Sequence, residues 1–187
     1  MPPCEQSPTS CSAVQPSPCC GAASCPDSSA PASLAWFEAM IPHCLDYARA
    51  EHEQGRPIVG ILCEFTPREL IFAAGAVPVC LCGGSADTIP AAEENLPVLL
   101  CPLIKSTYGY HVQKSNPFLE MASLIVGENT CDGKKKMFEL MAEARPMHVL
   151  ELPKRQGDAS AGAYWEAEVR RLITVLETRF GVVITSE

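Results

Sequence analysis

Positive charge is scarce in this sequence. Its 187 residues hold 14 lysines and arginines against 22 aspartates and glutamates, a net charge of −8. That balance argues against a nucleic-acid partner. The one basic run, Lys134-Lys135-Lys136, reads as a solvated helix face. No apolar stretch approaches the ~18 residues that a membrane span requires. The start of the chain has neither the basic region nor the apolar core of a secretory signal, so the cytoplasm is the expected compartment. No GxSxG, P-loop, HExxH or CxxC spacing occurs, so a ferredoxin or zinc ribbon is not supported. Apolar residues make up 47% and charged residues 19%, which reads as globular. The length suits one α/β domain and is too short for two.

Cysteine, by contrast, is plentiful, with eleven in the chain. In a reducing compartment such a number points to metal or redox chemistry rather than disulfides. Five of them fall in residues 1–33 with seven prolines and eight serines. That segment has almost no large apolar side chain, cannot offset its ordering entropy, and is expected to be a disordered tail.

Order is expected over 34–187. A helix should start near Ser33, break or restart at Pro42, and end near Gln54 before Gly55. Ile58–Leu62 is a continuous apolar run that suits a strand buried on both faces. Thr66-Pro67-Arg68-Glu69 has the spacing of a capping box with proline at N1, opening a helix that stops at Gly75. Ala76–Leu81 reads as a second strand, placed at an edge or bulge by Pro78. Strands at 122–127 and 147–150 and helices at 132–144 and 160–180 complete the pattern. The long last helix carries Trp165, Val169, Leu172, Val175, Leu176 and Phe180 on its apolar side. Strands alternating with helices predict an α/β, Rossmann-like parallel sheet with helices on both faces.

Ligands of such a sheet bind beyond the carboxyl ends of its strands. Cys63, Cys80, Cys82 and Cys131 are expected at that edge. Cys101, ahead of Pro102, and Cys131 stand where helices begin, and a helix N-terminus stabilises the thiolate that binds metal. The competing reading is a small buried hydrophobe. It is favoured for Cys44 in mid-helix. It also applies to one of Cys80 and Cys82, one of which is expected to face the core. His43, His52, His111 and His148 form no catalytic spacing and read as surface or satisfied core residues. Gly83-Gly84-Ser85 is too short a pattern to define a phosphate site.

Three segments carry a resemblance. They are Thr66-Pro-Arg-Glu-Leu-Ile-Phe-Ala-Ala-Gly75, Leu99-Leu-Cys-Pro-Leu-Ile-Lys-Ser106 and Gly127-Glu-Asn-Thr-Cys-Asp-Gly-Lys-Lys-Lys-Met137. They resemble successive motifs of the 2-hydroxyacyl-CoA dehydratase superfamily, in the D-component and double-cubane branch. The resemblance implies subunits of two Rossmann-like domains holding an oxygen-sensitive 4Fe–4S cluster through three cysteines. Two of those map onto Cys101 and Cys131, and the third lies in the second domain. It implies dimers, an ATP-hydrolysing iron–sulfur activator that injects one electron, and dehydration of a 2-hydroxyacyl-CoA through a ketyl radical. A sister branch carries a double-cubane cluster and reduces small molecules. Cys63 and Cys82 are similar to positions that would serve there. Glu69 becomes an acid–base candidate, against the reading of a plain capping carboxylate. Lys105 and Ser106 become candidates to face a CoA phosphate or a cluster sulfide, against an ordinary helix face. The chain ends about where the second domain would start. That domain, or a partner subunit, is therefore expected to complete the site, and a non-catalytic cluster-carrying fragment is the remaining alternative.

Overall fold

Strand β1 (Ile58–Leu62) is buried along its whole length. Its neighbours in sequence split between two cores. Ile58 and Leu62 join one apolar cluster, while Val59 and Ile61 join the other. An extended chain alternates its side chains, so a strand apolar on both faces must lie inside a sheet covered on both sides. The protein is described here from a computed structural model covering residues 32–62, 64–155 and 157–185. Four parallel strands run in the order β2-β1-β3-β4, with β2 at Val77–Cys80, β3 at Ala122–Glu128 and β4 at Met147–Leu150. Pro78 pairs with Val59 on the edge strand β2, where a missing N–H is tolerated. The predicted α/β parallel sheet is thus the observed one.

The described residues from Ala39 on form one compact unit, and the described residues before it belong to another. In the latter, helix α1 (Ala32–Glu38) sets the Trp36 and Phe37 rings edge to face at 5.2 Å. This helix starts at Ala32, next to the expected start near Ser33. The rest of the predicted tail lies outside the described residues. In the larger unit, α2 (Met40–Glu53) restarts from an N-cap at Ala39, so Pro42 sits in its first turn, where proline is tolerated. The only buried residue of α2 is Ala48. Cys44, expected to be buried, is therefore exposed.

Helices cover both faces. On one side, α3 (Arg68–Ala73) contributes Ile71 and α8 (Ala159–Phe180) contributes Leu172 and Leu176, all fully buried. Each such side chain is worth roughly 1.5–3 kcal/mol of burial. On the other side lie α5 (Pro102–Gln113) with Ile104 and Tyr108, and α7 (Asp132–Ala142) with Met137, Phe138 and Met141. A 3-10 turn at Ala86–Thr88, α4 (Ile89–Ala92) and α6 (Pro117–Met121) fill the connections. Among the described residues no helix is long and apolar enough to cross a membrane.

The capping box at Thr66 does not form. Pro67 takes the N-cap position of α3, which moves Thr66 outside the helix and Glu69 to the second helical residue. Thr66 is buried and its hydroxyl has no hydrogen-bond partner among the described residues. His148 also departs from expectation, because its Nε2 is buried without a partner.

Burial holds His148 below the usual 6.5, and Arg171 adds to the effect while Glu168 opposes it. A depressed base is protonated more readily in the unfolded chain. Stability is therefore full above pH 6.5 and is lost as pH falls below it. His111, depressed by burial and Arg145, acts in the same direction. His148→Leu removes the unpartnered nitrogen. It is expected to raise stability by about 1 kcal/mol at pH 5.5 and by less at pH 8. Urea denaturation at the two pH values checks this. A variant less stable at both would show that the imidazole contributes a bond the fold needs.

Candidate functional site

Parallel strands carry their chemistry at their carboxyl ends, and here β2 ends at Cys80 and β3 at Glu128. Two helices begin at the same edge with cysteine as N-cap. Cys131 caps α7 and its sulfur accepts the N–H of Lys134 at 3.4 Å. This is the bond a serine or aspartate would make at an N-cap, made by a thiol. Cys101 caps α5 without a side-chain bond, and Pro102 follows at the first helical position. Both cysteines are exposed, and neither is in a disulfide with another described residue.

The two helix starts are packed against each other. A Cβ added to Gly133, two residues after Cys131, would stand 2.7 Å from Leu100 and 2.9 Å from Ile104. Leu100 precedes Cys101 and Ile104 lies in the first turn of α5. Both atoms are terminal methyls, so glycine lets the Leu100 and Ile104 side chains lie directly against this backbone. The fold therefore brings the Cys101 and Cys131 ends together.

Cys82 is tied to the same helix. The Gly83 N–H donates to the Thr107 hydroxyl at 2.9 Å, and Thr107 donates in turn to Leu103 carbonyl. Thr88 donates to the Ser106 carbonyl at 2.9 Å. The prediction that one of Cys80 and Cys82 faces the core does not hold, since both are exposed while Val79, Leu81 and Gly83 are buried. Residues two apart in an extended chain share a face. The Cys82 thiol hydrogen-bonds Cys80, and together with the Cys82 N–H it pulls the Cys80 thiol down to about 6 against the opposing effect of burial. Cys63 lies outside the described residues.

Lys105 and Ser106 sit inside rather than on the rim. Lys105 is 6% exposed. Its ammonium reaches Glu93 Oε1 and the Val98 carbonyl, both at 2.6 Å. It thereby bolts the turn before Cys101 to the end of α4. Ser106 donates to the Leu103 carbonyl at 3.1 Å. Glu69 is exposed in the first turn of α3. The three lysines 134–136 are engaged locally, with Thr130, Asp132 and Glu139, as a solvated face should be.

Two residues escaped the sequence reading. Glu128 is 1% exposed, and its carboxylate accepts the Phe65 N–H at 3.0 Å. Asn129 accepts the Leu152 N–H at 2.8 Å. Together they anchor the chain after β1 and after β4 to the segment that delivers Cys131. The one available signal was their place, directly between the strand and the Thr-Cys-Asp-Gly run.

Around Cys101 the surface is apolar, with Val98, Leu103 and a Leu99 that is 99% exposed. Among the described residues no group of three or more His, Cys, Asp or Glu side chains is placed to share one ion. The donor set is thus a pair of soft sulfurs on an apolar rim. It fits part of a thiolate-held iron–sulfur site.

A family model described as 2-hydroxyglutaryl-CoA dehydratase, D-component, matches residues 63–187. A protein of Escherichia coli (strain K12) named as a dehydratase subunit, YjiM, is 50% identical over 135 residues, 72% of this chain and 35% of that protein. The lactoyl-CoA dehydratase subunit beta of Anaerotignum propionicum is 25% identical over 72% of this chain and 35% of its own. The (R)-phenyllactyl-CoA dehydratase beta subunit of Clostridium sporogenes is 25% identical over 81% of this chain and 40% of its own. The chain therefore spans well under half the length of these curated relatives.

Proposed function

The chain belongs to the family described as 2-hydroxyglutaryl-CoA dehydratase, D-component, and from that membership we propose that it is the iron–sulfur part of a 2-hydroxyacyl-CoA dehydratase-like enzyme. Cys101 and Cys131 hold a 4Fe–4S cluster, and at least one further ligand comes from beyond the described residues. The observation that carries this reading is the packing of Gly133 on Leu100 and Ile104, which juxtaposes two exposed N-cap cysteines. When bound, such a cluster supplies single electrons at low potential.

The chain's own residues do the rest. The helix N-termini present N–H groups and positive dipole ends toward sulfur and anions. Lys105 and Glu93 hold the Cys101 turn rigid. Glu128 and Asn129 do the same for Cys131. Val98, Leu99 and Leu103 form an apolar collar that keeps water from the cluster once a second domain or subunit covers it. Two relatives are named beta subunits, which supports an assembly with a partner. An ATP-dependent activator is the electron source in this proposal. Glu69, exposed at the start of α3, is the proton-handling candidate.

A second reading has a specific observation behind it. Cys82 is exposed and its loop is bonded to α5, so with Cys63 it supplies the extra thiolates of a double-cubane cluster. The test is an anaerobic assay of the polypeptide containing this chain, with activator, ATP and lactoyl-CoA. Elimination of water to the unsaturated thioester is expected, with about four iron atoms per chain. ATP-dependent electron uptake without dehydration, at about eight iron atoms per chain, would replace the first reading with the second.

A further inference from the structure

A cleft of about 690 Å³ lies where β4 ends and α8 begins. Its size falls within the ~300–1,000 Å³ usual for small-molecule sites. Its place, beyond the carboxyl end of a strand, is where a parallel sheet binds ligands. Asn129, two residues before Cys131, lines it and accepts the Leu152 N–H at 2.8 Å. Leu152, Pro153 and the Tyr164 ring supply apolar wall. The Tyr164 hydroxyl donates to Glu151 Oε2 at 2.8 Å, which tethers the ring. Lys154 and Arg155 line the same cleft, and both are exposed. Among the described residues, every lysine and arginine side chain has a hydrogen-bond or ion-pair partner except Lys114, Lys154 and Arg155. Two of these unpaired cations therefore meet at one cleft, in a chain whose net charge is −8. The acids of the cleft are committed locally. Glu151 holds Tyr164, and Asp158 caps α8 by accepting the Ser160 N–H at 3.3 Å.

We propose that this cleft takes the adenosine-phosphate end of a coenzyme A thioester, with Lys154 and Arg155 on the phosphates and Tyr164 beside the base. The inference rests on the dehydratase reading for the class of substrate, and it names where the handle of that substrate is held. An aromatic ring with apolar neighbours suits the flat face of a base. The forked guanidinium of Arg155 and the ammonium of Lys154 suit phosphate oxygens, to which charge-assisted bonds are strong. Lys105, the cation expected to face a CoA phosphate, is instead held by Glu93 and the Val98 carbonyl. The phosphates therefore need other cations, and Lys154 and Arg155 are unpaired among the described residues. Asn129 joins the cleft to the segment that delivers Cys131. A ligand held here thus has its acyl arm on the edge of the sheet where the cysteines stand.

The test is calorimetric titration of the reduced, iron-free full chain with free coenzyme A, ADP and pantetheine. Coenzyme A is expected to bind, ADP about tenfold more weakly for want of the 3′-phosphate, and pantetheine not at all. Lys154→Ala and Arg155→Ala are each expected to weaken coenzyme A by about tenfold. Tyr164→Phe keeps the ring and should bind as the parent does, while Tyr164→Ala should bind more weakly. Lys135→Ala, an exposed lysine of α7, is the control and should change nothing. Lys154 and Arg155 are exposed, so their variants keep the fold, and urea midpoints verify this. Absence of coenzyme A binding by the parent would overturn the proposal. So would undiminished binding by the double variant of Lys154 and Arg155, or an equal loss in Lys135→Ala. ADP binding as tightly as coenzyme A would overturn the choice of coenzyme A as the ligand. The dehydratase reading itself fails by iron content and dehydration, whereas this inference fails by nucleotide binding measured without iron.

Discussion

Gly109→Ala is expected to cost at least ~3 kcal/mol of stability, a large share of the ~5–15 kcal/mol typical of a domain. Gly109 lies inside α5, and an added Cβ would stand 1.9 Å from the Thr88 carbonyl oxygen and 2.6 Å from its carbon. The obstacle is backbone, so no side-chain rotation relieves it. Either α5 or the Ala86–Thr88 turn must move. Such overpacking commonly costs 1–3 kcal/mol and more where backbone is displaced. The move would also break the Thr88 bond to Ser106 and loosen the Gly83 bond to Thr107. Gly162→Ala is the control. Gly162 is helical in α8, with nothing within 4 Å of the added carbon, so alanine there should stabilise by about 0.5–1 kcal/mol. Urea midpoints of the two variants should shift in opposite directions. An unchanged midpoint for Gly109→Ala would mean that α5 does not lie as close to the turn as described.

Much of this architecture was legible because hydrophobic period and burial agree. Ile58–Leu62 has no polar residue to mark an outer face, so only a doubly covered strand suits it. Pro78 fixed β2 at an edge for lack of a donor. Local chemistry was less legible. Thr66 and Glu69 have the right spacing for a capping box, yet Pro67 claims the cap and shifts the frame by one. Cys80 and Cys82 share the exposed side because a two-residue step keeps one face of a strand, so neither turns inward as expected. The inward turn of Lys105 is invisible in a sequence, because its partners Glu93 and Val98 lie 12 and 7 residues back, across a bend. The meeting of Cys101 with Cys131 is a tertiary fact. It is seen in the packing of the Leu100 and Ile104 side chains on Gly133, which the motif Cys-Asp-Gly-Lys contains without explaining.

Cys101→Ser and Cys131→Ser are each expected to lose the cluster at unchanged fold. Serine is nearly isosteric with cysteine, and both positions are exposed, so little packing is disturbed. What changes is the donor. A hydroxyl is a hard, weakly acidic ligand and replaces a soft thiolate poorly on iron. At Cys131 serine remains a good N-cap, so α7 keeps its start and stability should hold or rise slightly. This separates loss of ligand from loss of structure. In the four-iron reading this chain's described residues contribute Cys101 and Cys131, so removing either leaves a single anchor. Retained iron is then expected to fall at least tenfold.

The measurement that bears most directly on this account is iron and labile sulfide per chain after anaerobic reconstitution with ferrous iron and sulfide. It is read on the parent chain, Cys101→Ser and Cys131→Ser in parallel, with and without a brief chelator wash. The parent is expected to take up iron and sulfide in equal amounts and to show the broad absorbance near ~400 nm of thiolate-held clusters. Both variants are expected to lack it. Full iron and sulfide in both variants, at the same absorbance as the parent, would contradict the assignment of Cys101 and Cys131 as ligands.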